Sequence, residues 1–108
     1  MLTKGRIEKI KQRTVRENEK LPRVFTALSD PGRFRMFKLL TQHTGLCVTE
    51  MAHIFGVSVP AASQQLRMLE MCGLIQRERL GQMICYKIKN NDPVVKSIIK
   101  LVGAKLST

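Results

Sequence analysis

The sequence predicts a mainly helical fold with one small β-hairpin, arranged as a winged helix-turn-helix. Three observations predict it. Residues 49–55 and 60–71 read as two short helices separated by Gly56-Val57-Ser58, a helix-turn-helix spacing. Two extended runs follow within residues 74–88, around a turn at Leu80-Gly81-Gln82. A broad apolar stripe at helical spacing (Val94, Val95, Ile98, Ile99, Leu101, Val102, Leu106) then follows the hairpin. The expected order is five helices, the hairpin as a wing, and a sixth helix.

Each element has a local reason. Residues 1–20 carry Lys4, Arg6, Lys9, Lys11, Arg13, Arg16 and Lys20 against Glu8, Glu17 and Glu19. Ile7 and Ile10 begin a thin stripe at i, i+3, so this segment is either a solvated basic arm or a helix that packs on a partner chain. Pro22 opens a second helix, with Val24, Phe25 and Leu28 on one face. Ser29 or Asp30 caps a third, with Pro31 in its first turn and Phe34, Phe37 and Leu40 inward, widened by Met36 and Leu39. Residues 42–45 end it. Thr49 is the expected start of the fourth helix, and Gly56 stops it. Ser58 caps the fifth, with Pro60 near its start, and Gly73 lies just past its end. Asn90-Asn91-Asp92-Pro93 makes a turn and starts the last helix. The expected organisation is a basic arm over 1–20, a winged helix-turn-helix core over 21–91, and a dimerisation helix over 92–108.

The bulk properties narrow the partners. The chain has 108 residues, enough for one modest domain. With 19 Lys and Arg against 8 acidic residues the net charge is +11, which favours a polyanion by steering and counterion release. No run is long and apolar enough for a bilayer, and the N-terminus has no signal-peptide h-region. Three cysteines, Cys47, Cys72 and Cys85, with no CxxC make a poor disulfide framework. The plain expectation is a reduced, cytoplasmic protein with no membrane partner and no cofactor. Scarce aromatics argue against a stacking platform for single strands. Scattered carboxylates, with no phosphate loop or nucleophile elbow, argue against an enzyme.

The fifth helix and the wing carry the candidate chemistry. Pro60, Ala61 and Ala62 are small enough for close approach to a groove. Ser63, Gln64 and Gln65 can donate and accept at base edges, and a helix N-terminus favours phosphate. Ala62, Leu66 and Leu69 point toward a core, with Ser63, Gln64 and Arg67 more exposed. Arg77, Arg79 and Lys87 decorate the hairpin, where they can reach a DNA backbone. Double-stranded DNA is therefore the expected partner. A winged helix that binds only protein is the alternative, decided by whether positive potential lines the face bearing Ser63 and Gln64.

The run FTALSDPGRFRMFKLL (residues 25–40), the stretch CVTEMAHIFGVSVPAASQQLRMLEMCGLI (47–75) and the hairpin 77–88 resemble the ArsR/SmtB family of bacterial winged-helix repressors, over roughly residues 22–102. The resemblance implies a homodimer held by its first and last helices, with two recognition helices entering successive major grooves of a palindromic operator. It puts Ser58, Val59, Ala61, Ala62, Ser63, Gln64, Gln65 and Arg67 in the recognition helix, and Arg77, Arg79 and Gln82 in the wing, with Lys87 beside them. Ile7, Ile10, Val95, Ile98, Ile99, Val102 and Leu106 become the candidate dimer contacts. Gln64 and Gln65 stand where members often have His, which leaves binding possible and changes the preferred sequence. Val59 replaces a common Gln and either meets a thymine methyl or packs.

The resemblance also implies release from DNA by a metal ion or an oxidant. The family's thiol site begins with a CVC run. Here the stretch is Cys47-Val48-Thr49, so Cys47 matches and Thr49 does not. His43 and Cys47 are weak metal candidates, with Gly45 between them against a continuous helix. A second family site on the last helix uses acidic and His residues, and this helix has Asp92 and no His. Cys47, Cys72 and Cys85 are weak redox candidates. Cys72 ends the recognition helix and Cys85 lies in the wing, so both are expected to be remote from Cys47. The expectation is three ordinary free thiols, with a thiol-based or metal-responsive regulator as the alternative and the inducer undefined.

Overall fold

The computed structural model describes the backbone of residues 3–16 and 19–106 and the side chains of 3–15 and 19–103. In chain order the elements are α1 (Lys4–Arg16), α2 (Lys20–Ser29), α3 (Pro31–Gln42), β1 (Leu46–Cys47), α4 (Val48–Phe55), α5 (Val59–Met71), β2 (Ile75–Leu80), β3 (Met83–Ile88) and α6 (Pro93–Leu106). This is the winged helix-turn-helix expected, with one strand more than the hairpin supplies. β3 is the central strand of a three-stranded antiparallel sheet ordered β1-β3-β2.

The helix boundaries follow from caps. Asp30 is extended and accepts from the Arg33 backbone N–H at 2.9 Å, so it, rather than Ser29, caps α3. Ser58 accepts from the Ala61 N–H at 3.2 Å and starts α5. α4 begins earlier than expected: Cys47, not Thr49, is its N-cap, and the Glu50 carboxylate reaches back to the Cys47 backbone N–H at 2.9 Å. That capping carboxylate is why the helix starts at Val48. Gly56 ends α4 at φ +63°, a left-handed conformation that a side chain would strain. Asp92 starts α6 by accepting from the Val94 and Val95 N–H groups, and it also pairs with Lys20 at the head of α2.

One core joins these elements. Val24 and Ala27 of α2, Met36, Phe37 and Leu40 of α3, Met51 of α4, Ala62, Leu66 and Leu69 of α5, Leu74, Ile75 and Tyr86 of the wing, and Val95, Ile98 and Val102 of α6 are buried together. Phe34 and Leu39 lie at its edge. The placement of Val95, Ile98 and Val102 corrects their expected place at a dimer contact, because α6 folds back on its own chain and covers them. Ile99 is half-buried, and Leu101 beside it is 67% exposed. Ile7 and Ile10 are exposed, as is every described side chain of α1. Leu106 lies outside the described side chains. Phe25, expected inward on α2, is 57% exposed, its place in the core taken by Ala27. Among the described residues no helix is long and apolar enough to cross a membrane.

Candidate nucleic-acid interface

α4 and α5 are joined by the tight Gly56-Val57-Ser58 turn, so α4 braces α5 from behind. Ala62, Leu66 and Leu69 anchor α5 in the core. The opposite side presents Val59, Ala61, Gln64, Arg67 and Met68 to solvent, with Ser63 half-buried beside them. Ala62, named with the recognition residues from the sequence, is fully buried and cannot meet a ligand. Ser58 is engaged as the α5 cap.

Gln65 is a second correction. It is half-buried, its Oε1 accepts from Arg33 Nη1 at 3.0 Å, and its Nε2 donates to Asp30 Oδ2 at 3.4 Å. Arg33 Nε also donates to the Ala27 carbonyl at 2.9 Å. These bonds tie the end of α2, the cap of α3 and the middle of α5 into one polar junction. The Arg33 backbone N–H holds the Asp30 carboxyl below its ordinary pKa against the opposing effect of burial, with lesser help from the nearby guanidinium. Gln65 therefore sets the position of the recognition helix and is not free to read a base. The sequence shows the Asp30 cap, but the 35-residue reach from Asp30 to Gln65 has no local signature.

The wing stands beside α5. Arg77 approaches Glu70 of α5 at 4.0 Å, Lys87 approaches Glu78 across the hairpin at 3.9 Å, and Arg79 Nε donates to the Gly81 carbonyl at 3.2 Å. All three basic side chains lie at the surface or partly exposed, where such pairs hold weakly. Gly81, at φ +64°, and the exposed Gln82 form the hairpin tip. Between wing and α5 runs a cleft of about 370 Å³, with Ser63 and Arg67 on one wall, Arg77 and Gln82 on the other, and Cys47 and Tyr86 among the lining residues. Two guanidinium side chains thus face one groove from opposite sides, an arrangement that suits an anion.

The thiols differ most from expectation. Cys47 and Cys85 are joined by a disulfide, so they are neither free nor remote. Cys47 lies on β1 directly opposite Cys85 on β3. The sequence reading missed this because a two-residue strand has no period to detect. Cys72 stays free: it ends α5, donates from its sulfur to the Leu69 carbonyl at 3.3 Å, and burial pushes its thiol pKa up. His43 is exposed, and in the bonded state the Cys47 sulfur is not available to share a metal with it. Among the described residues no group of three or more His, Cys, Asp or Glu is placed to hold a metal ion.

Comparison with known proteins agrees with this geometry. The profile of the family described as "Bacterial regulatory protein, arsR family" matches residues 30–77, from the α3 cap through the first residues of the wing. The chain is 35% identical over 72 residues to the arsenic resistance transcriptional regulator ArsR1 of Pseudomonas putida, a match over 67% of this chain and 56% of that protein. It thus spans little more than half the length of that relative. It is also 35% identical to the HTH-type transcriptional regulator YgaV of Escherichia coli, over 67% of this chain and 73% of that one. Among solved structures, the homodimeric winged helix-turn-helix DNA-binding domain Mb0332 of Mycobacterium bovis superposes with a TM-score of 0.69 at 27% identity, covering 82% of this chain and 80% of that chain.

Proposed function

Because the chain belongs to the arsR family of bacterial regulatory proteins, we propose that it is a sequence-specific, double-stranded DNA-binding transcriptional regulator, acting as a homodimeric repressor on a palindromic operator. The observation that carries this is the cleft in which Arg67 of α5 and Arg77 of the wing face one groove, next to an outward Gln64. A DNA backbone strand seated there would be held by both guanidiniums while Gln64 faces base edges. Bidentate pairing of a glutamine amide with adenine is the contact its chemistry favours. Val59 and Ala61 offer methyl groups to the same surface, and Arg79, Gln82 and Lys87 extend it along the backbone.

The dimer reading is supported by apolar surface left uncovered in a single chain. Phe25 of α2 and Leu101 of α6 are exposed, with Ile99 beside the latter and Ile7 and Ile10 on α1. Large apolar side chains of this kind are what a second copy covers. In such a dimer two α5 helices would read half-sites about one turn of DNA apart, ~34–36 Å.

The test is selection from a random 30-base-pair duplex pool, followed by fluorescence anisotropy on the recovered duplex across a salt series. A regulator of this kind enriches a two-fold symmetric sequence and binds it as a dimer, with affinity falling steeply as salt rises. Recovery of no sequence above the starting pool refutes the reading.

A further inference from the structure

We propose that the cleft between α3 and α5 is a second phosphate-backbone site, in which Arg35 holds the DNA strand opposite to the one seated beside the wing. The inference rests on the DNA-binding reading above and adds to it the grip on the second strand.

The two flanks of α5 carry the argument. Val59, Ser63 and Arg67 recur on successive turns and line the cleft on the wing side. Ala61 and Gln65, one turn apart, line a separate cleft on the other flank. Gln64 stands exposed between the two rows, with the buried Ala62, Leu66 and Leu69 behind. The second cleft has a volume of about 410 Å³, and Gly32 and Arg35 of α3 and Val57 of the helix-turn-helix turn complete its walls. An α-helix with its side chains is about 10–12 Å across, and the major groove is about 12 Å wide. A helix that enters the groove with Gln64 foremost therefore meets phosphates on both flanks, one strand to each cleft.

Arg35 is the cation on the second flank. It is exposed, and it makes no ion pair or hydrogen bond among the described residues. Arg33 differs from it although only two positions separate them. Residues so spaced point to different sides of a helix, and Arg33 is spent on the Ala27 carbonyl, Gln65 and Met68. The sequence GRFRMF shows two similar arginines, and the structure gives them different work: one holds the recognition helix in place, and the other is left to meet an anion. The Asp30 carboxylate lies close to Gly32 at the edge of this cleft. Its Oδ2 already accepts from the Arg33 backbone N–H and from Gln65 Nε2, so it leaves the Arg35 guanidinium uncommitted. A guanidinium presents several N–H donors in a plane, which suits two oxygens of one phosphate.

The experiment uses the full chain and the duplex recovered by selection. It compares the unaltered protein with Arg35→Ala and Arg77→Ala. Affinity is measured by anisotropy across a salt series, and phosphate contacts are mapped on each strand by ethylation interference. Arg35→Ala is expected to reduce the slope of log affinity against log salt by about 0.9, the loss of one phosphate contact. That makes binding about eightfold weaker at 0.1 M salt, with the difference closing toward 1 M. Within each half-site, Arg35→Ala should abolish interference on one strand and Arg77→Ala on the other. The urea midpoint of Arg35→Ala should match that of the unaltered chain, since an exposed, unpaired side chain holds nothing in the fold. An unchanged slope and interference pattern overturns the proposal, as does loss on the same strand that Arg77→Ala affects. Weaker binding with a lowered urea midpoint and an intact interference pattern also overturns it, because Arg35 then acts through the fold. If the unaltered chain selects no sequence, the DNA-binding reading fails and this site with it; if that chain binds and only the Arg35 responses are missing, this site alone fails.

Discussion

Arg33 Nη1 donates to Gln65 Oε1 at 3.0 Å, which fastens the first turn of α3 to the middle of the recognition helix. The same guanidinium is held by the Ala27 carbonyl, and Gln65 also donates to Asp30. Truncating Gln65→Ala leaves a half-buried guanidinium short of one partner. The expected cost is about 1–2 kcal/mol of stability. It is measured as a lowered urea midpoint with an unchanged slope. Base preference should stay as it is while overall affinity falls, because the helix is displaced and no base contact is lost. A changed base preference at undiminished stability would return Gln65 to the reading face.

Gln64 is the contrasting neighbour. It is exposed, and no bond fixes its amide within the chain among the described residues. Gln64→Ala should leave the unfolding midpoint nearly unchanged, since surface substitutions of this kind stay within about 0.5 kcal/mol. Preference at one base pair of each half-site should relax, by about 1–3 kcal/mol. Repeating the selection with the variant checks this, and an unaltered consensus would show that Gln64 reads nothing.

Arg77 stands between Glu70 and the cleft. Its 4.0 Å approach to that partly exposed carboxylate is weak, and it competes with a DNA phosphate for the same guanidinium. Glu70→Gln should therefore tighten binding to all duplexes alike. Arg77→Ala should weaken binding to all duplexes and reduce the salt slope by about one. The check is the slope of log affinity against log salt for the three proteins, and an Arg77→Ala slope equal to that of the unaltered chain would remove Arg77 from the backbone contacts.

The fold and the reading helix were legible in the sequence because their signals are local. Asp30-Pro31 and Ser58 before Pro60 each place a cap beside a proline, and Gly56 ends α4 within the same few residues. What escaped is what depends on distance in the chain. Cys47 and Cys85 are 38 residues apart and meet through a strand of two residues, too short to alternate. Gln65 looks like any polar residue on a recognition helix until Arg33, 32 positions earlier, is placed against it. The stripe of α6 was seen correctly as apolar. Periodicity, however, tells only that a face is covered, and the chain's own core covers Val95, Ile98 and Val102.

Asp30 and Asp92 should make stability depend on pH in the acid range. The backbone N–H of Arg33 holds the Asp30 pKa below 3.8, and the Lys20 ammonium does the same first for Asp92, aided by the N–H groups of Val95 and Val94. A carboxyl whose pKa is lowered on folding stabilises the fold above its unfolded value and loses that contribution as pH falls through the folded value. Stability should thus be level above about pH 5 and decline below about pH 4. Asp92→Asn should be less stable than the unaltered chain at pH 7, with the difference closing toward pH 2. Urea midpoints across pH 2–7 test it, and a constant difference would mean that Asp92 acts through its neutral hydrogen bonds alone.

The Cys47–Cys85 bond should be visible in the stability of the chain. It closes a loop over a sequence separation of 38 residues. Removing the freedom of such a loop from the unfolded chain is worth about 4 kcal/mol in the chain-entropy account. The oxidised protein should therefore unfold at a distinctly higher urea concentration than the reduced one. Its denaturant slope should be smaller as well, because a cross-linked unfolded chain exposes less surface. Cys47→Ser and Cys85→Ser should each match the reduced protein under both conditions. Cys72→Ser should still show the full difference, because Cys72 takes no part in the bond. Equal midpoints for the oxidised and reduced protein, with the link verified by mass, would mean that forming the bond disturbs the folded wing as much as it restrains the unfolded chain.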